Sequence, residues 1–290
     1  MKKSRKLATL GICSALFLGL AACQQQHATS EGTNQRQSSS AKVPWKASYT
    51  NLNNQASTEE VKSLLSAHLD PNSVDAFFNL VNDYNTIVGS TGLSGDFTSF
   101  THTEYDVEKI SHLWNQKKGD FVGTNCRINS YCLLKNSVTI PKLEKNDQLL
   151  FLDNDAIDKG KVFDSQDKEE FDILFSRVPT EATTDVKVHA EKMETFFSQF
   201  QFNEKARMLS VVLHDNLDGE YLFVGHVGVL VPADDGFLFV EKLTFEEPYQ
   251  AIKFASKEDC YKYLGTKYAD YTGEGLAKPF IMDNDKWVKL

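Results

Sequence analysis

Near residue 207 the hydrophobic pattern of this chain changes from a helical period to an alternating one, and few folds can accommodate that change. Before it, apolar residues recur three or four positions apart. After it come three runs rich in β-branched and aromatic residues, at 207–215, 220–232 and 236–245, separated by "NLDG" and "ADDG". Three strands joined by short turns predict an antiparallel meander, and helices before a meander predict an α+β fold.

Helical patterns before the meander predict four helices, over residues 57–65, 72–88, 105–118 and 125–138. Ser57 followed by Glu60 matches a capping box at the start of the first helix. Asn125 is a preferred capping residue, so the fourth helix is predicted to begin with Cys126. Cys132 lies six residues later, rotated away from Cys126, and is predicted to face the core.

The segment at about 141–218 is polar and mostly helical in pattern. We interpret it as an insertion that forms a lid or wall within a single domain covering residues 44–290. The last part of the chain is predicted to return to helix over 256–271 and to end in a tail in which Trp287 is docked.

The first 22 residues read as a leader: four basic residues precede an uncharged apolar stretch that ends in "LAAC". This ending resembles a bacterial lipoprotein box, which predicts cleavage before Cys23 and a lipid such as palmitate on that cysteine. A plain secretory leader with an incidental cysteine is the alternative. Residues 23–43 are rich in Gln, Ser, Thr and Asn and predict a flexible stalk. We therefore expect a domain anchored to the cell membrane by lipid on its extracytoplasmic face, on a Gram-positive surface or in a periplasm.

The charge of the chain limits its partners. The sequence has 31 basic and 40 acidic residues, and removal of the leader makes the balance more acidic still. Nucleic acid and anionic lipid surfaces both require a basic footprint, so neither is an expected partner. No pattern in the sequence indicates whether the protein forms oligomers.

Three cysteines remain after the leader and Cys23 are set aside: Cys126, Cys132 and Cys260. An odd number outside the cell leaves at least one thiol unpaired. A Cys132–Cys260 bridge and three free thiols are both compatible with the spacing.

Three residues together predict nucleophilic chemistry. The first turn of a helix favours the thiolate form of a cysteine, which suits Cys126 to act as a nucleophile. His226 lies near the start of a predicted strand and would serve as the base. Alternation in 236–245 places Glu241 on a face with four apolar residues, and a carboxylate there needs a partner, so we assign it to orient His226. The alternative is that Cys126 is only a small residue of the core.

Other sites are not indicated. The acidic stretch 151–164 lacks the residue order of a calcium loop, and the remaining histidines show no metal-ligand spacing. No phosphate-binding glycine loop or serine elbow is present. We therefore predict no metal and no cofactor.

Four stretches carry a resemblance to a known family: "NCRI", "GHVGVLV", "FVEKLTFEEPYQAIKF" and "AKPFIM". They resemble a bacterial lipoprotein family known as domain of unknown function 4300, and the likeness covers nearly all of the chain after the stalk. More distantly, the helix that begins with Cys126 and the "HVG" of the meander are similar to papain-like, NlpC-type cysteine peptidases and amidases.

The distant resemblance implies a papain-like architecture with Cys126 as nucleophile, His226 as base and Glu241 as the orienting group. Two positions depart from that pattern. Asn125 stands where related enzymes often have Asp, and Asp120 stands where papain-like proteases have an oxyanion-binding Gln. Any oxyanion hole would then use the backbone amide of Cys126 and another donor.

The expected function is that of a membrane-anchored cysteine hydrolase that cleaves amide bonds of cell-wall stem peptides. The main alternative is an envelope lipoprotein that binds a peptide or glycan in the same cleft without turnover. A scaffold for envelope partners is a third possibility, which would show an exposed apolar patch away from the cleft.

Overall fold

The structure is a computed structural model that describes residues 46–101 and 103–290. The predicted leader, Cys23 and the whole predicted stalk lie outside the described residues. Within the described part, no helix combines the length and the apolar character needed to cross a membrane.

The helices of the described chain fall before the central strands, with one exception near the end. Their bounds are α1 Gln55–Ser66, α2 Pro71–Val88, α3 Val107–Lys118, α4 Cys126–Leu134, α5 Phe151–Gly160, α6 Ser165–Leu174, α7 Val186–Phe197 and α8 Lys257–Lys267. Short 3-10 turns occupy Gly89–Thr91 and Gln148–Leu150. All four predicted N-terminal helices are present.

Local sequence predicts the capping residue of α4 correctly but not that of α1. The Asn125 side chain accepts a hydrogen bond from the Ile128 backbone N–H at 3.1 Å, so α4 begins at Cys126 as predicted. The capping box on Ser57 was wrong, because the Asn54 side chain caps α1 and accepts from the Ser57 N–H at 2.9 Å. Both residues are good caps, and only the path of the preceding chain selects between them.

The strands are β1 Ala47–Thr50, β2 Thr98–Ser99, β3 Val138–Thr139, β4 Val178–Pro179, β5 Gln201–Phe202, β6 Arg207–Asp215, β7 Tyr221–Ala233, β8 Gly236–Lys242, β9 Tyr249–Phe254, β10 Phe280–Asp283 and β11 Lys286–Val288. The main sheet has the order β11-β10-β6-β7-β8-β9-β1-β2, with β4 paired to β7, and β3 pairs with β5 separately. The pairings are antiparallel, so the α+β class and the β6–β7–β8 meander are confirmed.

Two boundaries differ from the sequence prediction. The segment assigned to an insertion, 141–218, contains β6, which pairs with β7 and β10 in the middle of the sheet. The helices of that segment therefore end before Arg207. The third run of the meander stops at Lys242, so Leu243 and Phe245 lie in a turn rather than on the strand face with Glu241.

Two hydrophobic cores flank the sheet, and a bulge in β7 decides which one each side chain faces. The larger core is built with α1–α7 and the smaller one with α8. The β6–β7 register shifts so that Gly225 is the extra residue. Val224 before the bulge and Val227 after it both face the larger core. The shift in alternation turns His226 towards the side of α8.

Candidate active site

Cys126 is the first residue of α4 and is buried, with 2% of its surface exposed. The helix packs against β7 and β8, the strands that carry His226 and Glu241. Its start is capped by Asn125, whose side chain accepts from the Ile128 N–H. The N–H groups of a first helical turn have no helical carbonyl to bind, so they stabilise negative charge on a side chain placed there.

A buried carboxylate from α5 braces both neighbours of Cys126. Asp153 in α5 is fully buried and accepts from the Asn125 side-chain amide at 2.8 Å and from Arg127 Nη2 at 2.7 Å. Arg127 also donates from Nη1 to the Val224 carbonyl at 3.0 Å. Sequence reasoning missed the role of Asp153, although the position of this acid directly after the apolar run "QLLFL" was a usable signal.

His226 and Glu241 form a buried pair across two adjacent strands. The β7–β8 ladder extends to Val229 paired with Val240, so His226 and Glu241 lie just past its end as diagonal neighbours. His226 Nε2 donates to Glu241 Oε2 at 2.5 Å. His226 is 2% exposed and Glu241 is 1% exposed, so water does not compete for this hydrogen bond. This geometry leaves Nδ1 as the ring nitrogen available to a third partner.

Cys126 acts on His226 through its charge and its side chain, which makes it the candidate for that third partner. Burial acts to lower the pKa of His226, but the charge and hydrogen bond of Cys126 and the hydrogen bond of Glu241 outweigh it, so the pKa is raised. Burial likewise acts to raise the pKa of Glu241, but Lys267, His226 and Tyr263 lower it to about 2. Glu241 is therefore ionised at any pH near neutrality, and the imidazolium form of His226 is favoured.

Side chains of α8 and of the residue that follows it contact Glu241 and His226. Tyr263 OH donates to Glu241 Oε1, and Lys267 Nζ lies 3.5 Å from the same oxygen and 2.8 Å from the Tyr263 hydroxyl. The ring of Tyr268 stacks on His226, with ring centroids 4.9 Å apart and planes 24° apart. No sequence pattern pointed to these three residues, because their contacts join helix and strand only in the folded chain.

The remaining residues singled out by sequence lie outside this cluster. Asp120 is exposed and pairs with Lys159 at 3.2 Å, so it takes no part in the site. Within the described residues the three cysteines are free thiols. Burial raises the pKa of Cys132 to about 12 and that of Cys260 well above its ordinary value, as expected for thiols that only fill the core. No group of three His, Cys, Asp or Glu residues in 46–101 and 103–290 is arranged to hold a metal ion.

The comparisons with known proteins place the chain in a family. The model of the family described as "Domain of unknown function (DUF4300)" matches residues 48–288, nearly the whole described chain. Neither a curated protein nor a solved structure matches the chain at a significant level. The chain therefore belongs to the family of domains of unknown function 4300.

Proposed function

We propose that this protein is a cysteine hydrolase that cleaves amide bonds, with Cys126 as nucleophile, His226 as acid and base, and Glu241 as the group that orients His226. One observation carries the proposal. Two side chains on neighbouring strands and a third at a helix start, a hundred residues away from His226, converge in one buried cluster. A thiol, an imidazole and an orienting carboxylate are the parts that thiol-based acyl transfer requires.

Each group has a role that follows from its contacts. The Cys126 thiolate would attack the amide carbon, forming a C–S bond and placing negative charge on the carbonyl oxygen near the first-turn N–H groups of α4. Protonated His226 would donate its proton to the departing nitrogen as the C–N bond breaks. Water would then attack the thioester while His226 accepts one of its protons, and the C–S bond would break, which releases the carboxylic acid and restores the Cys126 thiolate beside protonated His226.

Glu241 would act throughout by holding Nε2 of His226. Because its pKa lies at about 2, it stays charged and favours the imidazolium that must form beside the thiolate. Its hydrogen bond to Nε2 also fixes the ring, so that Nδ1 would be left to act on Cys126.

We also propose that the architecture is a variant of the papain-like, NlpC-type fold. A helix that begins with the cysteine packs on an antiparallel sheet, and successive strands of that sheet supply the imidazole and the acid. The chain order cysteine, histidine, acid is the order implied by the resemblance. Inserted helices α5–α7 would be the addition particular to this chain.

Location and substrate belong to the same proposal. The leader and "LAAC" support lipidation at Cys23 and anchoring to the outer face of the cell membrane. Amide bonds of cell-wall peptides are the substrates such an anchored domain would meet. The acidic balance of the chain argues against nucleic acid as a partner.

The deciding experiment compares purified cell wall incubated with the wild-type protein, with Cys126→Ala and with Cys132→Ala. Mass spectrometry of the released fragments should show new amide-cleavage products with the wild type and with Cys132→Ala, a buried cysteine of the same helix. Cys126→Ala should reduce product formation about a thousandfold or more, because the nucleophile is lost. Equal product formation by Cys126→Ala would rule out the proposed chemistry.

A second candidate is a binding lipoprotein that uses the same region without turnover. The burial of Cys126, His226 and Glu241 favours it, because a substrate reaches the sulfur only after neighbouring side chains move. This candidate predicts that the wild type and Cys126→Ala bind cell-wall peptides equally while neither forms product. Reaction of Cys126 with iodoacetamide in the native protein would separate the two, since it requires such an opening.

A further inference from the structure

A cavity of about 150 Å³ lies between α3 and the turn 243–248 that follows β8. Its walls are continuous in sequence with the candidate active site. Val122 lies four residues before Cys126, and Phe245 lies four residues after Glu241. The cavity is therefore built on segments that are adjacent in sequence to those that carry the thiol and the carboxylate.

The cavity walls present mostly apolar surface. Tyr84 and Trp114 line it with ring centroids 5.8 Å apart. The polar atoms of both rings are already used: Trp114 Nε1 donates to the Phe121 carbonyl at 2.6 Å and Tyr84 OH to the Glu246 carbonyl at 2.5 Å. A cavity of about this volume holds one benzene-sized group, so the space suits a single aliphatic or aromatic side chain.

Three polar residues also line the cavity: Ser111, Asn115 and Glu246. The Glu246 carboxylate accepts a hydrogen bond from the Thr244 hydroxyl at 3.3 Å and forms no ion pair within 4 Å in the described part of the chain. Two lysines of the surrounding elements donate hydrogen bonds to other groups, although the charge of Glu246 also acts on buried Lys242. Lys118 pairs with Asp83 at 2.6 Å, and buried Lys242 donates to three carbonyls of the turn, those of Thr244, Phe245 and Glu247.

The Lys242 contacts also fix the shape of the turn. Its ammonium lies 4.2 Å from the centroid of the Tyr84 ring, so the same side chain ties the turn to one wall of the cavity. A preformed wall lowers the cost of ordering a ligand. Glu246 belongs to this turn and is half-buried beside the cavity.

An apolar stem and a terminal group with three N–H donors match these walls. A hydroxyl, an amide oxygen and a carboxylate can all accept from an ammonium, whereas an acidic side chain would be repelled by Glu246. We infer that this cavity binds an aliphatic side chain that ends in a primary amine, the side chain of a lysine residue in a peptide substrate. This assignment depends on the hydrolase function proposed above and adds its substrate class.

The test uses two peptides that differ only in one side chain, lysine or Nε-acetyl-lysine, so that the stem is kept and the charge removed. Binding to the Cys126→Ala protein is measured by calorimetry, and hydrolysis by the wild type as kcat/KM. The lysine peptide should bind about 10- to 100-fold more tightly, since hydrogen bonds to charged groups have that effect. Glu246→Gln should remove most of this preference, and Glu258→Gln, an exposed carboxylate on α8, should keep it.

Equal affinity for the two peptides, no binding of either, or a preference that survives Glu246→Gln would overturn the inference. The hydrolase proposal fails separately. If the Glu246-dependent preference is present while hydrolysis is absent or independent of Cys126, the cavity assignment stands as a binding site and the catalytic role of Cys126 is lost.

Discussion

Among the described residues, two histidine–glutamate pairs with a buried imidazole lie on the sheet, and only one of them lies next to a thiol. In the thiol site, formed by Cys126, His226 and Glu241, the His226–Glu241 hydrogen bond is 2.5 Å long. In the paired-histidine cluster, formed by His189, His214 and Glu220, His214 Nε2 lies 2.7 Å from Glu220 Oε2. Burial and a carboxylate are therefore shared, and neither alone identifies a site of chemistry.

The difference lies in what the other ring nitrogens do. His214 Nδ1 accepts from the Ala277 backbone N–H at 3.1 Å. His189 contacts the Thr180 hydroxyl at 2.6 Å and the Thr183 carbonyl at 2.7 Å, and its ring lies 4.4 Å from that of His214. All four nitrogens of the paired-histidine cluster thus bond to groups that tie the fold together.

The protonation states follow the partners. Burial, together with the charge of His214, lowers the pKa of His189, so its neutral form is favoured. The pKa of His226 is raised, because Cys126 and Glu241 outweigh burial. A buried imidazole that is held ready to carry charge, next to a thiol, is the feature that separates a candidate active site from a structural cluster.

The largest expected difference between the two clusters is in reactivity. His226→Gln should lower hydrolysis, or alkylation of Cys126, by about 10²- to 10⁴-fold, the usual contribution of a general acid or base. His214→Gln, the matched change in the other cluster, should leave both rates close to those of the wild type. Similar losses in the two variants, measured on folded protein, would mean that the clusters do not differ in the way proposed.

The next largest effect is on stability, and here the larger loss is expected in the paired-histidine cluster. His214→Leu should lower the free energy of unfolding by about 1–3 kcal/mol, because the buried Ala277 N–H loses its acceptor. Urea unfolding at pH 7 measures it. Cys126→Ala should cost less, since His226 keeps its bond to Glu241. A smaller cost for His214→Leu than for Cys126→Ala would contradict the structural role of the paired-histidine cluster.

The smallest effect is on the pH dependence of stability, with opposite signs in the two clusters. Because the pKa of His226 is raised, its stabilisation is present below the ordinary histidine value of 6.5 and is lost as the pH rises through the raised pKa. Because the pKa of His189 is lowered, its contribution is present above 6.5 and is lost as the pH falls through the lowered pKa.

Unfolding free energies across the range of about pH 5 to 9 test this. His226→Gln should flatten the decline above pH 6.5, and His189→Gln should flatten the decline below it, each by about 1.4 kcal/mol per unit of pKa shift. If both variants flatten the pH dependence on the same side of pH 6.5, the direction of one of the two pKa shifts is wrong.

Local sequence was a sound guide to elements whose causes are local. The start of α4 at Cys126 depends on Asn125 and its own first turn, and the meander depends on alternation and turn residues. Prediction from sequence failed where two nearby residues could each cap the same helix, and where a strand forms by pairing with distant segments. Ser57 and Asn54 are equally good caps. The strand β9 is formed by its pairing with β8 on one side and β1 on the other.

The sequence by itself determined the α+β class, the start of α4 and the chemical identity of the three candidate residues, because helical period, alternation and side-chain chemistry are properties of short segments. Only the tertiary structure decided that these residues meet. The bulge at Gly225 turns His226 towards α8, and Asp153 braces the start of α4. Those contacts join segments tens of residues apart, and no local pattern encodes the distance between them.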